Sequence, residues 1–177
     1  MFPEICTERF LLRKIIAADQ EKIFEGLSHP DIIQYYGVAY STMESTRIQM
    51  DFYNDLLINE TGIWWAICNK DDPSGLIGAC GFNDRHPVHN HMEIGYWLLA
   101  GKEGAGIMSE CIPHIIRYAF ENMAVHRIVA VIEVGNEKSI RLITRLGFIY
   151  EGTHMDCEIK NGRFISLHYY ALLNRKP

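Results

Sequence analysis

The chain has 177 residues, enough for one domain around one core. Apolar residues make up 48% of it, which excludes a disordered chain. Seventeen basic against 22 acidic residues leave a net charge of −5, which argues against sequence-independent nucleic-acid binding and is compatible with a cationic or amine ligand.

Residues 7–13 (TERFLLR) predict a strand. Residues 17–27 predict a helix with Ile23, Phe24 and Leu27 as its apolar stripe, broken at His29-Pro30. Residues 31–36 predict a second, short helical piece. Ser41-Thr42-Met43-Glu44 has the capping-box spacing, and the helix it opens should reach Asn59 and bury Met50, Tyr53 and Leu57. Residues 63–69 (IWWAICN) and 76–82 (LIGACGF) predict two strands of a hairpin, separated by the turn residues Asp71-Asp72-Pro73-Ser74-Gly75. Residues 83–90 predict a polar, histidine-rich loop.

Residues 93–99 are apolar or aromatic with one glycine, the pattern of a strand covered on both faces. Gly101, Gly104 and Gly106 follow. Then apolar residues fall in pairs four apart, Ile107/Met108, Cys111/Ile112, Ile115/Ile116 and Ala119/Phe120, which makes one wide helical stripe. A glycine-rich turn entering a helix leaves backbone N–H groups free at the positive end of the macrodipole. That chemistry suits a phosphate or pyrophosphate, although a tight connection without any ligand has the same local signature. The order G-x-x-G-x-G lacks the Gly-Lys-Ser/Thr of a P-loop and reverses the dinucleotide fingerprint.

Residues 127–134 predict a β-branched strand. Asn136 is a suitable N-cap for a helix to Leu146, with Gly147 as its stop. Strands at 148–158 and 164–173 join around Asn161-Gly162, a strong hairpin signal. No linker or repeat interrupts the chain, so the reading is a single α+β domain over 1–177 with a mixed sheet. Cys6, Cys68, Cys80, Cys111 and Cys157 are scattered and odd in number, without a CxxC pair. This fits reduced thiols of a cytoplasmic protein rather than a disulfide framework. The N-terminus lacks a signal-peptide core, and no apolar run approaches ~20 residues, so no membrane span is expected.

Taken together, Glu93-Ile-Gly-Tyr-Trp-Leu98-Leu99, Gly104-Ala-Gly106-Ile-Met-Ser-Glu110, Tyr118-Ala-Phe120, His126-Arg-Ile128, Asn136-Glu-Lys-Ser139, Leu146-Gly-Phe148 and Glu151-Gly152 resemble the GNAT superfamily of N-acetyltransferases. Within it, the chain resembles the branch that acetylates N-termini of ribosomal proteins (RimJ/RimL-like). The resemblance implies a mixed, mostly antiparallel sheet of about seven strands with helices on both faces. It implies acetyl-CoA as cosubstrate, a ternary complex and no metal. Trp97, Leu98 and Leu99 would lie along the pantetheine arm, and Gly101, Lys102, Glu103, Gly104, Ala105, Gly106 and Ile107 around the pyrophosphate. Asn136 would bond the arm, and Ser139 would lie near the sulfur. A homodimer through the C-terminal strands follows by analogy, and no nucleic-acid or membrane partner does. Three positions depart from the family pattern. Gly101 stands where a Gln or Arg is usual, which leaves Lys102 to supply charge. Ile143 stands where many members place a proton-donating Tyr. Pro113 lies inside the helix, off its apolar stripe.

Acetyl transfer to an amine needs a neutral amine, a donor for the developing oxyanion and a held geometry. An α-amine, with pKa near ~8, needs less help than a lysine near ~10.4. Glu158, in Glu-Ile-Lys-Asn-Gly, matches the position assigned as base in the ribosomal-protein branch. Glu93, which begins the central strand, is the second candidate. Ser139 is the candidate proton donor, and a backbone N–H at Leu98 or Leu99 the simplest oxyanion donor. Away from the resemblance, Glu158 reads as a surface residue beside a turn and Ser139 as an ordinary first-turn helix residue. His86, His89 and His91 have metal-like spacing in a single loop, without a cysteine to complete a set. Trp64, Trp65, Tyr35 and Tyr36 either line an acceptor groove or pack the core. Cys111 lies on the buried stripe, which argues against a covalent acetyl carrier. The acceptor expected is a peptide N-terminus. The alternatives are a small amine (polyamine, amino acid or antibiotic) and a non-catalytic CoA-binding relative.

Overall fold

The computed structural model describes residues 1–175, so the last two residues of the expected domain lie outside it. One eight-stranded sheet organises the chain, in the order β1-β2-β3-β4-β5-β6-β8-β7. The strands are β1 (Ile5–Cys6), β2 (Phe10–Lys14), β3 (Ile63–Asn69), β4 (Asp72–His86), β5 (His91–Leu98), β6 (Arg127–Glu133), β7 (Ile149–Lys160) and β8 (Arg163–Leu173). Every neighbouring pair is antiparallel except β5 and β6. The eighth strand, beyond the expected seven or so, is the two-residue β1. The helices are α1 (Gln20–Ser28), α2 (Pro30–Ile33), α3 (Arg47–Ile58), α4 (Ile107–Asn122) and α5 (Glu137–Arg145).

Strand alternation sends side chains to two cores. On β3, Trp65 and Ile67 pack with α4 and α5, while Trp64, Ala66 and Cys68 pack with α1 and α3. On β5, Met92 and Ile94 face α4, and Trp97, with Leu99 just past the strand, faces the N-terminal helices. Helices therefore cover both faces of the sheet. The α4 stripe buries Ile107, Met108, Cys111, Ile112, Ile115, Ile116 and Ala119, and the helix runs unbroken through Pro113.

Three local expectations change. α3 begins at Arg47 with no side-chain bond at its cap. The reciprocal bonds form one residue later than the predicted box: Ser45 N–H donates to Thr42 Oγ1 at 3.0 Å, and Thr42 N–H to Ser45 Oγ at 3.2 Å. A hydroxyl three residues on closes the turn, so the Glu44 carboxylate is not needed. α3 buries Leu56 rather than Leu57, which is only partly buried. The histidine-rich segment is largely strand, because Asn83 pairs with Glu93 and His86 with His91. Its polar side chains face solvent on a ladder whose backbone is satisfied, and only residues 87–90 form the turn. The hairpin at Asn161-Gly162 has positive φ at both residues, 51° and 74°, as a tight two-residue turn requires.

Candidate active site

β5 and β6 pair only over three residues, His91–Arg127, Met92–Ile128 and Glu93–Val129. Beyond them β5 is bonded to β4 alone and β6 to β8 alone. The inner edges part, and Ile94, Gly95, Tyr96, Trp97 and Leu98 face Ala130, Val131 and Ile132 across a cleft of about 1410 Å³. That exceeds the roughly 300–1,000 Å³ of an ordinary small-ligand pocket and leaves room for two reactants.

The backbone phase of the open edge follows from one bond. Leu99 N–H donates to the Ile77 carbonyl at 3.0 Å. In an antiparallel ladder alternate residues bond the same neighbour, so Tyr96 and Leu98 turn their N–H and C=O groups toward the cleft. This removes Leu99 from the two expected oxyanion donors and leaves Leu98. The side chain of Leu99 packs in the core on the α1/α3 side, and the indole of Trp97 donates to Tyr53 Oη at 3.2 Å. The ring of Trp97 is therefore turned away from the open edge, and its backbone N–H and C=O, in phase with Leu99, face β4.

At one end of the cleft the 101–106 turn opens α4. Gly101, Gly104 and Gly106 have φ of 77°, 78° and 75°, and a Cβ at Gly101 or Gly104 would meet nothing within 4 Å. The first-turn N–H groups of Ile107, Met108 and Ser109 point along the helix toward this turn. Gly101, Glu103, Gly104, Gly106 and Ile107 line the cleft, whereas Lys102 and Ala105 do not. The Glu103 carboxylate accepts the Gly101 N–H at 2.9 Å, an anion of the chain itself on the loop. Positive charge comes instead from α5, where Lys138, Arg141 and Arg145 line the cleft. Their spacing of three and four residues puts them on one helical face, a signal legible in EKSIRLITR that the sequence reading passed over.

α5 also carries Asn136 and Ser139. Asn136 Oδ1 caps the helix by accepting Ser139 N–H at 3.3 Å, which leaves its amide N–H₂ to donate. Ser139 Oγ lies 2.5 Å from Tyr96 Oη. Burial pushes the Tyr96 phenol up to about 12, against the lowering effect of that bond. Tyr96 is thus a hydroxyl partner that sequence reasoning missed. Ile143, which replaces the family's tyrosine, is fully buried and offers nothing to the cleft.

Glu93 stands where β5 and β6 part, beside its register partner Asn83, and both line the cleft. Burial, then the charges of Asp84 and Glu158, push its carboxyl up to about 7. Glu158 is exposed on β7 and does not line the cleft, but it lies near enough to act on Glu93. The fold therefore brings the two candidate carboxylates together and gives only one of them a wall position. Trp64, Tyr35, Tyr36 and Phe52 line the same cleft. Trp65 belongs to the core instead, with its indole donating to the Pro3 carbonyl at 2.7 Å. His86, His89 and His91 stack with ring centroids 4.4 to 6.4 Å apart, and among the described residues no three His, Cys, Asp or Glu side chains converge as a metal set.

Comparison with known proteins agrees with this geometry. Residues 9–149 match the family model of the acetyltransferase (GNAT) domain. The chain belongs to the GNAT family of acetyltransferases. It is 32% identical over 174 residues to the uncharacterized N-acetyltransferase YoaA of Bacillus subtilis, covering 98% of each chain. It is 26% identical to the ribosomal-protein-serine acetyltransferase of Escherichia coli, over 90% of this chain and 84% of that one. Among solved structures, RimL, a ribosomal L7/L12 alpha-N-protein acetyltransferase in complex with coenzyme A, shares the fold with a TM-score of 0.86 at 22% identity, over 97% and 98% of the chains. As a GNAT acetyltransferase, the protein uses acetyl-CoA. The cleft fits that molecule on its own terms: an unpaired strand edge for an amide-bearing arm, a helix start with open glycines for a pyrophosphate, and cations on α5 for further phosphate. No helix among the described residues is long and apolar enough to cross a membrane.

Proposed function

We propose that this acetyltransferase moves the acetyl group directly, in a ternary complex, to a primary amine, and that the acceptor is the N-terminal α-amine of a protein or peptide. The observation that carries the reading is Glu93: a largely buried carboxyl on the cleft wall, at the fork where β5 and β6 part, with its pKa raised to about 7. When bound, acetyl-CoA supplies an activated thioester. The chain's own residues do the rest. Glu93 takes the proton from the amine, with Glu158 as a neighbouring charge that helps to keep its pKa high. The backbone N–H of Leu98 donates to the developing oxyanion. Ser139 donates toward the sulfur, with Tyr96 holding its hydroxyl in place.

A small cationic amine is the second reading, favoured by Asp84 and Glu158 beside Glu93, since two extra carboxylates at the acceptor end suit an acceptor with more than one positive charge. A second copy of the chain is a further proposed partner. Met155, Ile159 and Phe164 on the edge hairpin are 74%, 68% and 66% exposed, and sedimentation would detect a dimer. The experiment is a thiol-release assay with acetyl-CoA against peptides with free N-termini, polyamines, amino acids and aminoglycosides. Selective turnover of peptides supports the first reading and selective turnover of polyamines the second. No turnover of any amine, with no CoA binding by calorimetry, would overturn both.

A further inference from the structure

We propose that Arg9, in the turn between β1 and β2, is a positioning residue for the phosphate loop: it fixes the Ala105–Gly106 peptide so that the Gly106 N–H faces the bound pyrophosphate. The proposal rests on the acetyl-CoA reading of the 101–106 turn. Arg9 lies almost a hundred residues away in sequence from the loop it touches, and no motif in the first ten residues suggests such a contact.

The geometry has three parts. The Arg9 Nη1 donates to the Ala105 carbonyl at 3.1 Å. Its Nε donates to Glu110 Oε2 at 2.7 Å, and its backbone N–H to Glu110 Oε1 at 2.8 Å. Glu110, in the first turn of α4, also accepts from Thr7 Oγ1 at 2.5 Å. Burial would raise the Glu110 carboxyl, but the bonds from Thr7 and Arg9 outweigh it and bring it down to about 2. The guanidinium further lies over the Phe10 ring, 4.8 Å from its centroid. Arg9 is thus clamped by α4 and β2 before it reaches the loop.

The peptide bonds among the described residues are trans. In a planar trans peptide the C=O and the following N–H point in opposite directions. With the Ala105 carbonyl held by Arg9, the Gly106 N–H points away from Arg9. Gly106 lines the cleft and Arg9 does not. A Gly106 Cβ would stand 3.5 Å from Arg9 Nη2, which places the guanidinium against the outer side of that residue. Arg9 reaches the two acceptors through separate nitrogens, Nε to the carboxylate and Nη1 to the carbonyl, a fixed fork that the single ammonium of a lysine does not reproduce. This arrangement gives the loop its anion-binding face without a cation at position 101.

The test is calorimetric binding of CoA and of pantetheine, which lacks the pyrophosphate, to the wild type and to Arg9→Met and Arg9→Lys, with circular dichroism as the check on folding. Loss of the charge-assisted bond from Arg9 to the loop predicts about tenfold weaker CoA binding in both variants. Pantetheine affinity should stay unchanged. If Arg9→Met fails to fold, Arg9→Lys, which keeps the charge, decides alone. CoA affinity equal to wild type in a folded variant, or equal losses for CoA and pantetheine, would overturn the proposal. A wild-type chain that does not bind CoA would overturn the phosphate-loop reading itself, and this inference with it.

Discussion

In the proposed reading, Glu93 sets the pH behaviour of the protein. Its carboxyl is held at about 7, chiefly by burial, and only the ionised form can accept a proton from the amine. With a peptide acceptor, kcat/KM should rise with pH through about 7, and Glu93→Gln should lower it by about 10²-fold or more and remove that inflection. Stability should move the other way. A folded-state pKa raised above the ordinary carboxylate value favours the protonated fold, so this contribution is whole below the unfolded pKa and is lost as pH rises through about 7. Glu93→Gln should therefore melt higher than wild type above pH 7, a difference that thermal denaturation at two pH values would reveal. An unchanged melting order would mean that the buried carboxylate carries no such penalty. Glu93 was visible in the sequence as a strand-start acid. Its advantage over Glu158 was not, because burial at the fork depends on β6 and β4 together.

At the scale of elements, the helices and strands were largely legible, since each rests on periodicity and a stop signal. α4 kept its stripe, α5 its Asn136 cap, and the 161–162 turn its two positive φ values. What local pattern could not supply was register. Asn83 and His86 read as loop because their side chains are polar, yet β4 continues beneath them. The same limit hid the packing of Trp64 on Gly95: a Cβ there would stand 2.6 Å from the indole, and the two residues share a face only through β4. Gly95→Ala should cost about 1–3 kcal/mol by overpacking, measurable by urea denaturation. In the 101–106 turn, Glu103 occupies an N–H of the loop with a charge like that of a phosphate. Glu103→Gln should tighten CoA binding several-fold, and Arg141→Glu on α5 should weaken it, both by calorimetry. Equal affinities would show that the ligand's phosphates lie away from both residues.

At the scale of the whole molecule, the function follows from one fault in an otherwise continuous sheet. Seven strand pairings hold eight strands together, and the parallel one lasts three residues. A parallel pair needs a crossover, here α4, and the crossover leaves its N-terminus at the mouth of the split. In the proposed reading, donor and acceptor meet at the fork from opposite sides, without an acetylated enzyme. The buried thiols agree with this. Cys68, Cys80 and Cys111 are enclosed, and burial pushes Cys111 up to about 12, unfit as a nucleophile. The most direct test is initial-rate kinetics with acetyl-CoA and a peptide acceptor varied together. Intersecting double-reciprocal lines are predicted, as for transfer within a ternary complex; parallel lines, the mark of a covalent acetyl-enzyme, would contradict the account.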